Sequence, residues 1–253
     1  MKRLVLATGA LGALLVLAAH GRSSEDKELV AIIDKAIAAH GGEANLAKYP
    51  AQTATGTGKF YGLGEAIDFN LEVASHDKKF RYGMDMKVMN FDLKLTIVVN
   101  GVKGWEKVND DVKEIGADEL AEYKEQMHSN AVVSLLPLKM DKDYKLSPIG
   151  EVKVDDQPAY GITVSKKGHR DVSLYFDKAK GHLVKSEFNI KDIKGGGDRE
   201  MPQTNFFYDY KEFQGIRQPT RLVTERDGKK FIEARLTDMQ PAEKLDDATF
   251  ERP

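Results

Sequence analysis

The chain has 253 residues, with 38 basic against 40 acidic side chains, a formal net charge of −2 and no cysteine. The missing cysteine excludes a disulfide framework and any lipid attached through a thiol, and no basic run tracks phosphates, which speaks against a nucleic-acid partner. The length suits one large all-β domain or two small ones, either with a sizeable core.

The first element is a targeting segment. Met1, Lys2 and Arg3 precede an apolar run from Leu4 to Ala19, and the small residues Ala19 and Gly21 flank His20. This is the pattern of a secretory signal peptide, with cleavage predicted after Gly21 or Ala19. The run is short of the roughly 20 residues needed to span a bilayer. The expectation is a signal over residues 1–21 and one domain over 22–253, released to the periplasm or medium and not integral to a membrane.

Ser23-Ser24-Glu25-Asp26 then offers an N-cap, and Leu29, Ile33, Ala36 and Ile37 recur at helical spacing up to Gly41-Gly42. Val30 and Ile32 widen the apolar face of this predicted helix. A short turn follows over 43–49, stopped by Pro50.

Period two takes over from Ile67, which with Phe69, Leu71 and Val73 alternates with polar neighbours. Phe80, Tyr82, Met84, Met86 and Val88 do the same, and so do Phe91, Leu93, Leu95, Ile97 and Val99. These are half-buried antiparallel strands with one wet face. Asn100-Gly101 predicts a type I′ hairpin leading into Gly104–Val108, and 111–115 adds a short strand. Leu120, Tyr123, Met127, Ala131 and Leu135 then fall on one helical stripe from Ala117 to Leu136, ended by Pro137. Seven more strands follow between 144 and 239, with turns at Asp155-Asp156, Lys180-Gly181, Gln214-Gly215 and Asp227-Gly228. Gly195-Gly196-Gly197 reads as a loop. The fold class is mainly β (α+β): a curved antiparallel sheet whose hollow face is lidded by amphipathic helices.

Signals for chemistry are sparse. His40, His76, His128, His169 and His182 show no metal-ligand spacing and read as solvated or turn-adjacent side chains. No serine lies in a GxSxG elbow. Gly56-Thr57-Gly58-Lys59 lacks the spacing of a phosphate loop, and Asp155-Asp156 and Asp246-Asp247 belong to a turn and a cap. The apolar stripes remain, and methionines on them adapt to variable apolar partners. They are either plain core or the wall of a cavity for a hydrophobic guest.

Several phrases carry a resemblance. The leading helix ending in HGG, the segment NGVKGWEKVN before the inserted helix, the hairpin DVSLYFDKAKGHLVKSEFNIKD and the closing run DYKEFQGIRQPTRLVTERDGKKFIEARLTDMQP are similar to the LolA-like superfamily of outer-membrane lipoprotein-sorting and lipoprotein-carrier proteins. The likeness extends from Asp26 to Pro253, and the chain resembles a divergent member. It implies an incomplete β-barrel, here a half-barrel of about 11 strands, whose hollow apolar face takes acyl chains. It implies no enzyme activity and no cofactor. The implied partners are an acylated lipoprotein or lipid and a membrane-associated donor or acceptor protein. The carrier family's functional arginine matches no particular arginine of this chain. The missing cysteine argues against the acylated branches.

The candidate ligand-binding residues are Phe69, Leu71, Phe80, Tyr82, Met84, Met86, Leu93 and Leu95 on the wall, with Leu120, Tyr123 and Met127 on the lid. One alternative is an envelope interaction or sensor module with a ligand-free core, using an edge strand or the Trp105 region. Another is a secreted hydrolase, which needs His76, His128 or His182 beside two acidic residues at a pocket mouth.

Overall fold

The computed structural model describes the backbone of residues 14–193 and 199–253, and side chains from residue 26 onward. The start of the predicted signal, residues 1–13, and the Gly195-Gly196-Gly197 loop lie outside the described residues.

The chain opens with α1 (Leu14–Ala39) and α2 (Glu43–Lys48). Six strands follow: β1 (Ala51–Phe60), β2 (Ile67–His76), β3 (Lys79–Val88), β4 (Phe91–Asn100), β5 (Lys103–Val108) and β6 (Asp111–Glu114). Next come α3 (Ala117–Val133) and α4 (Leu136–Met140). Seven strands close the fold: β7 (Lys145–Val154), β8 (Gln157–Ser165), β9 (Val172–Asp177), β10 (Leu183–Lys191), β11 (Glu200–Phe213), β12 (Ile216–Arg226) and β13 (Lys229–Ala242). A 3-10 turn at Asp247–Phe250 lies near the end, capped by Asp246, whose side chain accepts from the Ala248 N–H.

All thirteen described strands form one antiparallel sheet in the order β6-β5-β4-β3-β2-β1-β13-β12-β11-β10-β9-β8-β7. The fold is an incomplete barrel with helices, with thirteen strands where about eleven were expected. One strand absent from the sequence expectation is β1, AQTATGTGKF. It lacks apolar alternation because Gly56 and Gly58 occupy its inward positions. A Cβ on Gly58 would overlap the Glu233 carbonyl oxygen and come within 2.5 Å of Phe69 Cζ, so the Phe69 ring fills the space that a side chain would take.

The two edges are blunted in different ways. β6 has four residues, and β7 carries Pro148 with a register shift before Gly150.

Three local expectations are corrected. α1 runs through Ser23-Ser24, so these residues do not cap it, and Val30 is 52% exposed instead of widening the apolar face. Pro137 does not end a 20-residue helix; Leu135, at φ 69°, separates α3 from α4, and Pro137 sits in the first turn of α4, where its missing N–H costs nothing. The β4–β5 turn is centred on Gly101-Val102, and only Gly101 of the pair has positive φ, as in a type II′ turn. Asn100 stays in the ladder and its Nδ2 donates to the Phe250 carbonyl at 3.2 Å.

α1, α3 and α4 pack on one face of the sheet, the inner face. Leu29, Ile33, Ala36 and Ile37 of α1 join Val132 and Leu135 over Ile162, Val164, Val172, Leu174, Phe188 and Ile190 from β8–β10. The outer face is covered elsewhere by the chain's own C-terminal segment: Phe250 and Leu245 pack on Ala74, Val98 and Trp105.

Candidate functional site

The predicted wall is assembled by cross-strand register. Phe69 pairs with Met86, Leu71 with Met84, Val73 with Tyr82, Met84 with Leu95 and Met86 with Leu93. Alternation therefore turns all of these side chains to one face. The wall comprises two clusters. Phe69, Leu71, Met84 and Ala234 form the buried centre of one, ringed by Phe60, Val73, Tyr82, Met86, Leu95, Ile232 and Leu236. The other joins Ile97, Val99 and Ile115 to Leu120 of α3, with Tyr82, Leu95, Tyr123 and Met127 against it.

The lid residues Leu120, Tyr123 and Met127 therefore meet Tyr82 and Leu95 of the wall, while Phe69, Leu71 and Met84 belong to a cluster containing no helix residue. Phe80 stacks on Tyr82, with ring centroids 6.4 Å apart, and is half-buried. Leu93 is also half-buried. Burial raises the hydroxyl pKa of both Tyr82 of β3 and Tyr123 of α3, so the two phenols stay neutral.

Apolar side chains on β3 and β4 continue outward to the hairpin tip. Met84 is 4% exposed, Met86, Val88, Leu95 and Leu93 are half-buried, and Phe91 is 77% exposed. The inner apolar surface thus runs from under α3 into solvent.

A groove of about 730 Å³ lies on these same strands but opens on the outer face. Ten of its fourteen lining residues, including Lys59, Asp68, Asp85, Lys87, Lys94 and Arg235, have the outward parity. Phe69, Met86 and Leu93 line it from the inward-facing positions. Charges of opposite sign alternate along one cross-strand row, from Glu233 through Lys59, Asp68 and Lys87 to Asp92. Lys59 and Asp68 pair at 2.7 Å. Opposite charges within this row offset one another, which suits a solvated surface.

No protein-family model matches the chain, and no match is found among curated proteins. Solved structures do match. A LolA superfamily protein from Nitrosomonas europaea is similar over 88% of this chain and 97% of that one, at 13% identity and a TM-score of 0.54. The fold is LolA-like. A DUF1329 family protein from Desulfovibrio piger matches over the same shares at 16% identity and a TM-score of 0.56. A Vibrio parahaemolyticus domain, named for outer membrane lipoprotein sorting, matches over 89% and 97% at 12% identity and a TM-score of 0.54. At these identities the likeness concerns the backbone path. Among the described residues, no helix is long and apolar enough to cross a membrane.

The LolA-like sheet gathers histidines that sequence spacing leaves apart: His169 is exposed in the turn after β8 and His182 follows the turn after β9, as expected, while His128 departs from that expectation by lying half-buried within α3. His128 of α3 stacks on His169 with ring centroids 3.8 Å apart, and Tyr144 stacks on His128 at 5.7 Å. The Glu125 carboxylate accepts from His169 Nδ1 at 2.8 Å and from the Arg170 N–H at 3.1 Å. Glu122 pairs with Arg170 and accepts from the Lys191 N–H, so α3 is clasped to the β8–β9 loop and to β10. His40 and His182 form a second group around Tyr210. No histidine lines the groove.

Burial, followed by the nearby His169, lowers the His128 pKa to about 4; burial likewise lowers that of His40 to about 4. A histidine held below its ordinary 6.5 is neutral in the folded chain while the unfolded chain takes up a proton. Stability should therefore fall as pH drops from about 6.5 to about 4, by at most about 1.4 kcal/mol per pH unit for each ring and less for the half-exposed His128. Urea melts of wild type and His40→Gln at pH 7 and 5 measure this. The variant should lose part of the acid sensitivity, and identical pH slopes would refute the assignment.

Proposed function

We propose that the chain is an exported, non-enzymatic binding protein of the bacterial envelope that holds an acyl chain or another hydrophobic ligand on the inner face, as a lipoprotein or lipid carrier. After removal of residues 1–21 it acts in the periplasm or outside the cell as a single domain, residues 22–253. The observation that carries this reading is the uneven cover of the sheet. Helices pack over β7–β10 and over the inner ends of β4 and β5, while the cluster of Phe69, Leu71, Met84 and Ala234 across β13, β1, β2 and β3 includes no helix residue. The centre of that cluster is closed by its own ring, and the apolar surface left open lies at its rim, from half-buried Met86 and Leu93 to exposed Phe91; open apolar surface favours an apolar guest. The family names of the solved structures with this fold agree with that reading.

Phe69, Leu71, Phe80, Tyr82, Met84, Met86, Leu93 and Leu95 with Leu120, Tyr123 and Met127 are the proposed contact residues. Trp105, offered above as a contact for a protein partner, is packed by Leu245 and Phe250, and blunted edges disfavour strand addition.

Detergent-free native mass spectrometry of protein purified from a bacterial envelope tests the proposal, with organic extraction of what comes off. A co-purifying acyl species supports it. A bare mass that stays bare after incubation with lipids and acylated peptides overturns it. Leu95→Asp and Met86→Asp place a carboxylate at half-buried wall positions. Each should weaken binding of the apolar dye Nile red at least about tenfold with an unchanged far-ultraviolet circular dichroism spectrum. Unaltered binding in both would remove these residues from the site.

A further inference from the structure

The inner face is interrupted by a polar seam. On β10, β11 and β12 the register aligns Ser186 with Asn205 and Asn205 with Thr224, all at positions facing inward. Thr224 aligns in turn with Ile232 of the apolar wall. Asn205 Nδ2 donates to Ser186 Oγ at 3.3 Å, and Thr224 Oγ1 donates to Asn205 Oδ1 at 2.9 Å. Gln203 Nε2 reaches the same Asn205 oxygen at 3.5 Å, and Gln203 Oε1 accepts from Arg226 Nε at 3.0 Å. Ser186 and Gln203 are buried.

The seam ends in an arginine that is only partly used. Arg226 lies with its guanidinium carbon 3.7 Å from the centre of the Phe231 ring. Among the described residues, its hydrogen bonding uses Nε alone and leaves both Nη groups unclaimed. Tyr82 of the wall and Tyr123 of the lid are among the groups whose charge acts on it. Asp192 and Glu122 also act on it. Glu122 is engaged by Arg170 and the Lys191 N–H. A core built for stability alone would gain from an apolar side chain in place of a half-satisfied cation.

We propose that the ligand is an amphiphile with an anionic head, a carboxylate or a phosphate monoester, held by the two Nη groups of Arg226, with its tail on the apolar wall beyond Thr224. This rests on the reading that the inner face binds an acyl chain and specifies its chemistry. A planar guanidinium presents two parallel donors that match the oxygens of either head.

The test is Nile red displacement from full-length, detergent-free protein by four competitors: palmitic acid, methyl palmitate, lysophosphatidic acid and monoacylglycerol. Wild type should bind each anionic member at least tenfold more tightly than its uncharged counterpart, and a preference confined to one pair identifies the head. Arg226→Met should abolish the preference; should it fail to fold, Arg226→Lys should cut the preference severalfold by losing the bidentate geometry. Equal affinities in wild type, or a preference that survives Arg226→Met, would overturn the head subsite and leave the acyl-binding reading standing. Failure of all four competitors would overturn both.

Discussion

Replacing Phe250 by alanine should cost about 3–5 kcal/mol of stability and shift the fluorescence of Trp105, the chain's one tryptophan, to the red. Phe250 is fully buried although it lies three residues before the last residue, Pro253. It occupies the outer face against Ala74 of β2, Val98 of β4 and Trp105 of β5, with Leu245 beside it. Polar contacts fix the segment from both sides: Asn100 Nδ2 donates to the Phe250 carbonyl, and Lys79 Nζ meets Asp247 at 2.5 Å. Truncation to alanine removes the ring but leaves these contacts too weak to hold the tail down. Water then reaches the indole. Chemical denaturation followed by emission and circular dichroism measures both effects, and a loss below about 1 kcal/mol with unmoved emission would show that the segment is not docked on this face.

The second large effect concerns Gly41→Ala, for which a loss of about 3–5 kcal/mol is expected. Gly41 has φ of 120°, a conformation that residues with a side chain rarely adopt, and a Cβ there would overlap the Gly215 carbonyl oxygen and lie 3.0 Å from Ile216 Cα. The close approach joins the end of α1 to the β11–β12 hairpin. The Arg217 N–H donates to the His40 carbonyl at 3.0 Å, and Asn45 Nδ2 donates to the carbonyls of Gly41 at 2.8 Å and Gly215 at 3.4 Å. Gly42 provides the comparison. Its φ of 84° carries similar backbone strain, but a Cβ there meets nothing within 4 Å, so Gly42→Ala should cost only the strain, about 1–3 kcal/mol. Equal losses in the two variants would show that the contact with Gly215 does not matter.

Much of the scaffold is legible in the sequence because burial on one face of a strand leaves a period of two. The run from Phe80 to Val88 specifies both β3 and its inward face, and the stripe Leu120, Tyr123 and Met127 specifies the side of α3 that meets the sheet. The turns follow from local chemistry as well: Asp155-Asp156, Gln214-Gly215 and Asp227-Gly228 all take positive φ at both residues. β1 is not legible because two of its inward positions, Gly56 and Gly58, are glycines, and a glycine that makes room for Phe69 leaves no apolar letter to read.

The candidate site is half legible for the same kind of reason. Its wall is local and repeats within each strand. Arg226 carries no signal in its own segment, because its partners Gln203 and Phe231 and its neighbours Tyr82 and Tyr123 come from four other elements. The pairing of His128 with His169 likewise joins α3 to the β8–β9 loop across 41 positions.

By itself, then, the sequence determined the composition limits, the alternation that makes strands, the helical stripes and most turns, since each depends on residues within a few positions of one another. Tertiary structure alone decided which part of the apolar face the helices cover, where the C-terminal segment docks, and that a polar seam ending in a partly used guanidinium crosses the inner face. These depend on strand order, and the pairing of β1 with β13 brings together residues nearly 200 positions apart, a distance over which no periodicity in a linear sequence carries information.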